Sequence, residues 1–497
     1  MRKHRLAVAV LLLLCLFAQG LTHARSASIT FDEGPHLAVG YTTLRTGDLR
    51  LQPVHIHPPL ANVLAAAPLL LQKDLPDPRA VDGWEIASLS AVTDAVVWRY
   101  PHPRRLALVS RFPIILMTLL LGAVTARWAA DLLGPRSGLV ALALYAFDPN
   151  VVAHGSLVTT DAAVTLWGTL ALFLTARYLG GDATPMAPRH TGTHVHRELY
   201  WAGAGIALGL ALASKVSAVS LLPALCLLLL LGPAATSWRR RILATMGTLF
   251  LSALTLWAVY GCEVGSVPGF PLPLPAATHV KVYLSLREHY DIGHPSFLLG
   301  QNGDHGWWYY FPVAFLLKTP LPTLILLVVA GAQIADRARR AAFLNRRCAT
   351  RRWGPLVLFP LVYCASSLFS SVNIGYRHLL PVLPFLFIFA SRIAAYGSRI
   401  ARWASRITRH VLRFTLYVSL AWLALATLRI SPHYLAFFNA LAGGPAGGYR
   451  YLVDSNLDWG QNLGQLHDWM KVNGVERIYY AHFSPARPQV YGVEADF

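Results

Sequence analysis

Nine ionisable side chains lie between, or at the ends of, long apolar stretches. Asp32 and Glu33 form an acidic dipeptide after the first stretch, and His57 follows before Pro58 and Pro59. Arg111 lies within the second stretch, Asp161 opens the fourth, and Lys215 separates the fifth from the sixth. Lys318 comes after an aromatic run, and Arg377 with His378 precedes the tenth stretch. A charge near hydrocarbon costs several kcal/mol unless it is paired or wetted, so such residues mark cavities and pathways. Acids beside bases suit one particular chemistry. A carboxylate takes a proton from an attacking hydroxyl, while Arg and Lys hold a phosphate that departs without needing a proton. Asp32 and Glu33 are adjacent, so their side chains diverge. They therefore suit a lone general base better than a glycosidase-type pair. The plainer alternatives are an acidic helix cap for the dipeptide and snorkelling to headgroups for the bases. His55 and His57 alternate as on a strand, and with His154 or His378 they could hold a divalent metal. That reading is secondary, and no cofactor is assigned. His190, His194 and His196 read as a solvated linker.

The elements that must position these residues are membrane helices. The chain has 497 residues, 55% hydrophobic and only 13% charged. A soluble enzyme of this length needs more polar surface, and a disordered chain far fewer apolar residues. The net charge of +19 is concentrated in short segments between apolar stretches and comes with no nucleic-acid-binding motif, so nucleic acid is excluded as a partner. The five cysteines show no metal-ligand spacing.

A bilayer span needs about 20 apolar residues. Eleven segments fit approximately: Leu6–Leu21, Leu106–Ala126, Ser137–Ala153, Ala162–Leu179, Tyr200–Ala213, Val216–Leu231, Ile242–Cys262, Thr319–Ile334, Gly354–Ser370, Leu379–Tyr396 and Leu412–Ile430. With eleven crossings, the basic clusters at Arg2–Arg5, Arg239–Arg241, Arg337–Arg352 and Arg392–Arg409 all share the amino-terminal side. The positive-inside rule makes that side cytoplasmic. The first helix resembles a signal peptide but is expected to be retained, since it anchors the acidic dipeptide. Residues 1–430 then form a transmembrane module with large outer loops at 22–105 and 263–318. Residues 431–497 form a small outer tail of mixed α/β character, with a helix near Gly460–Met470 and a strand near Arg477–His482. Leu60–Leu71 reads as a helix lying at the interface, and Trp307–Phe311 as an aromatic belt. Gly443–Gly448 lacks the Lys and the preceding strand of a phosphate loop and reads as a turn.

Phe31-Asp32-Glu33-Gly34-Pro35-His36 followed by His57-Pro58-Pro59-Leu60 resembles the first outer loop of glycosyltransferase family 39. That family includes the protein O-mannosyltransferases and the bacterial aminoarabinose transferases acting on lipid A. Asp148-Pro149-Asn150 through Asp161, Gly375-Tyr376-Arg377-His378 and Asp454–Gln461 are similar to bacterial members, so the resemblance covers nearly the whole chain. It implies an all-α polytopic GT-C fold in the plasma membrane, a polyprenyl-phosphate-linked sugar donor and inversion at the anomeric carbon. It also implies that Asp32 is the catalytic base with Glu33 beside it, and that Asp161 is the second acidic position. Arg111, Lys215, Lys318, Arg377 and His378 become donor-phosphate contacts. His57 stands where the aminoarabinose transferases carry Lys, and a neutral imidazole holds phosphate less firmly. The acceptor is a glycan, lipid or protein hydroxyl. A transporter or lipid flippase is the alternative, although the chain lacks the internal repeat common in such proteins.

Overall fold

A computed structural model describes residues 2–52, 57–180, 194–232, 236–340, 346–395, 406–481 and 484–496. The chain is a polytopic helical assembly. In order, the helices are α1 (Arg2–Ser26), α2 (Glu33–Thr46), α3 (Leu60–Ala66), α4 (Leu89–Thr93), α5 (Pro103–Leu133), α6 (Pro135–Ala146), α7 (Pro149–His154), α8 (Thr160–Gly180), α9 (His194–Leu212), α10 (Leu221–Leu230), α11 (Trp238–Val259), α12 (Ala277–Ile292), α13 (Tyr310–Lys318), α14 (Leu321–Arg340), α15 (Arg346–Ser367), α16 (Leu383–Ala390), α17 (Arg392–Ala395), α18 (Arg406–Ile430) and α19 (Leu463–Asn473). Strands are minor. Two small antiparallel hairpins flank α12, and a parallel pair joins Ile478–Tyr479 to Ala495–Asp496 in the tail.

Each of the eleven expected segments falls on helix, but they are not eleven equal spans. Among the described residues six helices are long and apolar enough to cross: Lys3–Ser26, Pro103–Leu133, Thr160–Gly180, Trp238–Val259, Tyr376–Ala395 and His410–Ile430. The pair Tyr310–Lys318 and Leu321–Gln333, bent by 110°, makes a seventh if counted as one span. The remaining segments are shorter or broken. Ser137–Ala153 divides into α6 and α7 because Asp148 caps a new helix there. Its carboxylate accepts from the N–H groups of Asn150 (3.0 Å) and Val151 (3.1 Å), and Pro149 occupies the first helical position. Val216–Leu231 begins as a 3-10 turn before α10.

The long connection between α1 and α5 is folded against the membrane helices rather than hanging free. A Cβ on Gly34 would sit 2.1 Å from the Trp98 ring, and one on Gly40 2.1 Å from the Asn62 carbonyl. Glycine at those positions lets α2 lie flat on its neighbours. In the expected interfacial helix, Ala61, Ala65, Ala66 and Leu69 face inward while Leu71 is exposed.

One buried ion pair fixes this arrangement. Arg111 of α5 donates Nε to Glu33 Oε1 at 2.8 Å and Nη2 to Oε2 at 2.6 Å. Its other donors reach the carbonyls of Ala24 (2.8 Å), Ala27 (2.7 Å) and Ser28 (2.7 Å). All five N–H groups of the guanidinium are thus engaged. Glu33 accepts in addition from the backbone N–H of Thr30 (2.8 Å) and of Val158 (2.8 Å). The end of α1, the start of α2, the third turn of α5 and the turn before α8 meet at this one pair.

Burial alone would raise the Glu33 carboxyl, but Arg111 and the backbone donors hold it below its usual range. Such a depressed group stabilises the fold above its unfolded pKa, and that stabilisation is lost as pH falls through the folded value. Breaking a buried pair by removing one partner typically costs about 3–5 kcal/mol. Glu33→Gln should therefore lower the thermal midpoint of the detergent-solubilised protein at pH 7, with the gap to wild type narrowing as pH falls through the acid range. A gap that is absent at pH 7, or that widens towards acid, contradicts the assignment.

Candidate active site

Asp32 precedes α2, one residue before Glu33, and its carboxylate turns the other way. Glu33 points into the protein, whereas Asp32 points into a cavity of about 610 Å³. Asp32 Oδ2 accepts from Arg377 Nη1 at 2.6 Å, with the acid 26% and the base 7% exposed. Arg377 belongs to the 3-10 stretch Tyr376–Val382, and its guanidinium carbon lies 4.3 Å from the centre of the Trp459 ring. The tail holds that stretch in place. Tyr376 N–H donates to Asn456 Oδ1 at 2.9 Å, and the Ser455 hydroxyl donates to the Ile374 carbonyl at 2.7 Å.

A second acid–base pair stands beside the first. Asp161, in the first turn of α8, is buried and accepts from Lys215 Nζ at 2.6 Å. Lys215 lines the cavity, and Asp161 lies behind it. His57 stacks on His36 with ring centroids 6.5 Å apart, and both face the cavity. Burial lowers both imidazoles, His57 well below its ordinary value, with Lys215 and His36 adding repulsion. Each is neutral at pH 7 and offers a hydrogen bond instead of a charge. His378 completes this wall, stacked on Phe311 at 5.9 Å.

Of the nine residues singled out in the sequence, Asp32, His57, Lys215, Arg377 and His378 line one cavity. The other four do not. Glu33 and Arg111 are locked to each other and to backbone carbonyls, so neither reaches the cavity as base or phosphate contact. Lys318 is fully buried, and its Nζ donates to the carbonyls of Leu435 (2.8 Å) and Asn456 (2.6 Å) over the Phe438 ring. It braces the tail, far from the phosphate role expected for it. Asp161 reaches the cavity only through Lys215. Among the described residues no group of three or more His, Cys, Asp or Glu is placed to hold a metal. His55 and His190 lie outside the described residues.

Several wall residues were not singled out in the sequence. Helix α12 roofs the cavity with Tyr283, Leu286, Arg287, His289 and Tyr290. Its inward positions Thr278, Val282 and Leu286 recur at helical spacing within the loop 263–318, which was the available signal. Asp454, half-buried near Arg377 and Asp32, has a positive φ of 60°. Burial pushes its carboxyl up to about 6, with Arg377 opposing. The expected boundary near residue 430 is crossed by many bonds. Phe31 N–H donates to the Trp459 carbonyl at 3.0 Å and Ser28 N–H to that of Gln461 at 2.8 Å. The tail packs behind the site, where Trp459, Ser455 and Asn456 hold the stretch that carries Arg377.

The family model described as dolichyl-phosphate-mannose-protein mannosyltransferase matches residues 106–260. No curated protein matches the sequence. Three solved structures share its architecture. ArnT from Cupriavidus metallidurans in the apo state is 14% identical over 97% of this chain and 83% of that one, with a TM-score of 0.50. The archaeal oligosaccharyltransferase AglB from Archaeoglobus fulgidus, in complex with an inhibitory peptide and a dolichol-phosphate, is 12% identical over 95% of this chain and 58% of that one, with a TM-score of 0.52. The Archaeoglobus fulgidus oligosaccharyltransferase tethered with an acceptor peptide containing the NVT sequon is 11% identical over the same shares, with a TM-score of 0.53. Identities this low speak to the fold, and the matched segment spans α5 to α11. Over residues 106–260 the chain is similar to the dolichyl-phosphate-mannose-protein mannosyltransferase family, and its polytopic helical fold is that of ArnT and AglB.

Proposed function

We propose that this protein transfers a sugar from a polyprenyl-phosphate carrier to an acceptor hydroxyl, with inversion, using Asp32 as general base. The observation that supports the proposal is the Asp32–Arg377 pair, an acid beside a cation whose chemistry suits a phosphate, at one point of a membrane-protein cavity. The AglB structure solved with a dolichol-phosphate has the same fold and supports a lipid-phosphate donor. The cavity would face the non-cytoplasmic side of the plasma membrane, with the amino terminus on the cytoplasmic side.

The chemistry follows from the two pairs. The donor phosphate sits against Arg377 and Lys215, both of which present N–H donors to the cavity. The acceptor oxygen attacks the anomeric carbon from the opposite face and gives its proton to Asp32. The bond from that carbon to the phosphate oxygen breaks, and the departing electron pair is stabilised by the same cations. His57 and His378, which both line the cavity, are suited to orient hydroxyls of the sugar.

Without donor, Arg377 donates to one of the two carboxylate oxygens of Asp32. An arriving phosphate competes for that guanidinium and releases the carboxylate. Donor binding thus leaves both oxygens of the base open to the acceptor, which favours the order donor first and acceptor second.

Purified protein incubated with radiolabelled polyprenyl-phosphate sugars should release polyprenyl phosphate together with glycosylated acceptor. Movement of the labelled lipid without sugar release contradicts the proposal. Asp32→Asn should lower turnover by about 10²–10⁴-fold in a protein that still folds. Near-normal turnover in that variant removes Asp32 from the mechanism. Arg377→Ala should raise the donor KM by about 10–100-fold, the weight of a charge-assisted hydrogen bond. Initial-rate patterns should show donor binding first, and a random order excludes the release of Asp32 by phosphate.

A further inference from the structure

A second built site lies at the opposite face of the helical layer. Helix α8 begins at the active-site wall with Asp161 and runs for 21 residues. That is about 30 Å of rise, one membrane thickness. Around its last turn, Tyr178 meets the first turns of α9 and α11 to enclose a cavity of about 490 Å³. Three guanidiniums converge there, Arg197, Arg240 and Arg241, against the single carboxylate of Glu198.

The cationic wall is preorganised. Arg197 lies over the Tyr178 ring at 4.9 Å and donates Nε to the Tyr178 carbonyl at 3.3 Å. Arg241 donates to the Leu230 carbonyl and the Thr236 hydroxyl, each at 3.2 Å. Trp201 donates Nε1 to the Ala244 carbonyl at 3.0 Å and ties α9 to α11. Arg240 is exposed and makes no side-chain hydrogen bond or ion pair among the described residues. Its charge is available to a ligand.

The surroundings name the class of ligand. Leu199, Leu243 and Met246 are exposed beside the cavity, and α8 and α11 are both apolar enough to cross a bilayer. A soluble anion has no use for that apolar rim, whereas acyl chains would cover it. Snorkelling accounts for one arginine at a helix end. It does not account for three meeting on a concave surface floored by Tyr178 and Trp201.

We propose that this cavity binds the headgroup of an anionic phospholipid in the leaflet opposite the active-site cavity. The phosphate would sit among Arg197, Arg240 and Arg241, and the acyl chains along α11. None of these residues touches the candidate active site, so the proposal stands apart from the sugar-transfer reading.

Native mass spectrometry of the full chain, titrated with phosphatidylglycerol or phosphatidylcholine in micelles, tests it. Wild type should retain phosphatidylglycerol in preference to phosphatidylcholine. Arg197→Gln with Arg240→Gln should weaken that retention on the order of 30-fold, at about 1 kcal/mol per basic residue. Because Arg197 also supports α8, the single variant Arg240→Gln serves as the control that leaves every internal bond in place. It should weaken retention by about 5-fold with an unchanged melting temperature. Equal retention in both variants overturns the proposal. So does displacement of the lipid by millimolar inorganic phosphate, which would mark a site for a soluble anion.

Discussion

The buried clasp between Arg111 and Glu33 is the constraint on which the rest of the structure depends. It joins the end of α1, the start of α2, the third turn of α5 and the turn before α8 through one guanidinium with every donor engaged and the carboxylate it holds. A buried pair of this kind is a weak source of net stability, because desolvation offsets most of the attraction. What it supplies is register. With Glu33 held inward, the residue before it has only the cavity to face, and Asp32 is aimed by its neighbour's confinement. The acidic dipeptide thus divides its labour, one acid anchoring the loop and the other facing the cavity.

The cavity is balanced as it stands. Asp32 is paired with Arg377 and Asp161 with Lys215, while His36 and His57 are held neutral by burial. An entering dianionic or monoanionic phosphate adds negative charge to that balance and competes with the two acids for their cations. The Arg377 pair is the more open to such competition, because Asp32 is 26% exposed. Its guanidinium rests on the face of Trp459, whereas Asp161 behind Lys215 is sealed from solvent. The tail therefore matters to the site without lining it, since Trp459 and Asn456 fix where Arg377 and its backbone lie.

Much of this was legible from the sequence. The apolar stretches and charge clusters gave the membrane class, and the chemistry-bearing residues at stretch ends gave Asp32, Lys215 and Arg377 as a group. Lys318 and Arg111 show where such reasoning stops. A buried cation that satisfies backbone carbonyls has the same sequence signature as one awaiting a ligand, because carbonyl partners leave no trace in residue type. Helix α12 was hidden for another reason. Its inward face is carried by Thr, Val and Leu amid charged residues, too mixed to stand out beside spans of twenty apolar residues. The split at Asp148-Pro149 was visible as a capping signal but was outweighed by the continuity of the apolar run around it.

The central claim is that a lipid phosphate takes Arg377 from Asp32 within one cavity. A structure of the protein bound to polyprenyl phosphate in a lipid nanodisc tests it most directly. The account predicts the phosphate against Arg377 and Lys215, with Asp32 no longer bonded to the guanidinium and open to the aqueous side. A phosphate bound elsewhere, or an Asp32–Arg377 contact unchanged beside it, contradicts the account.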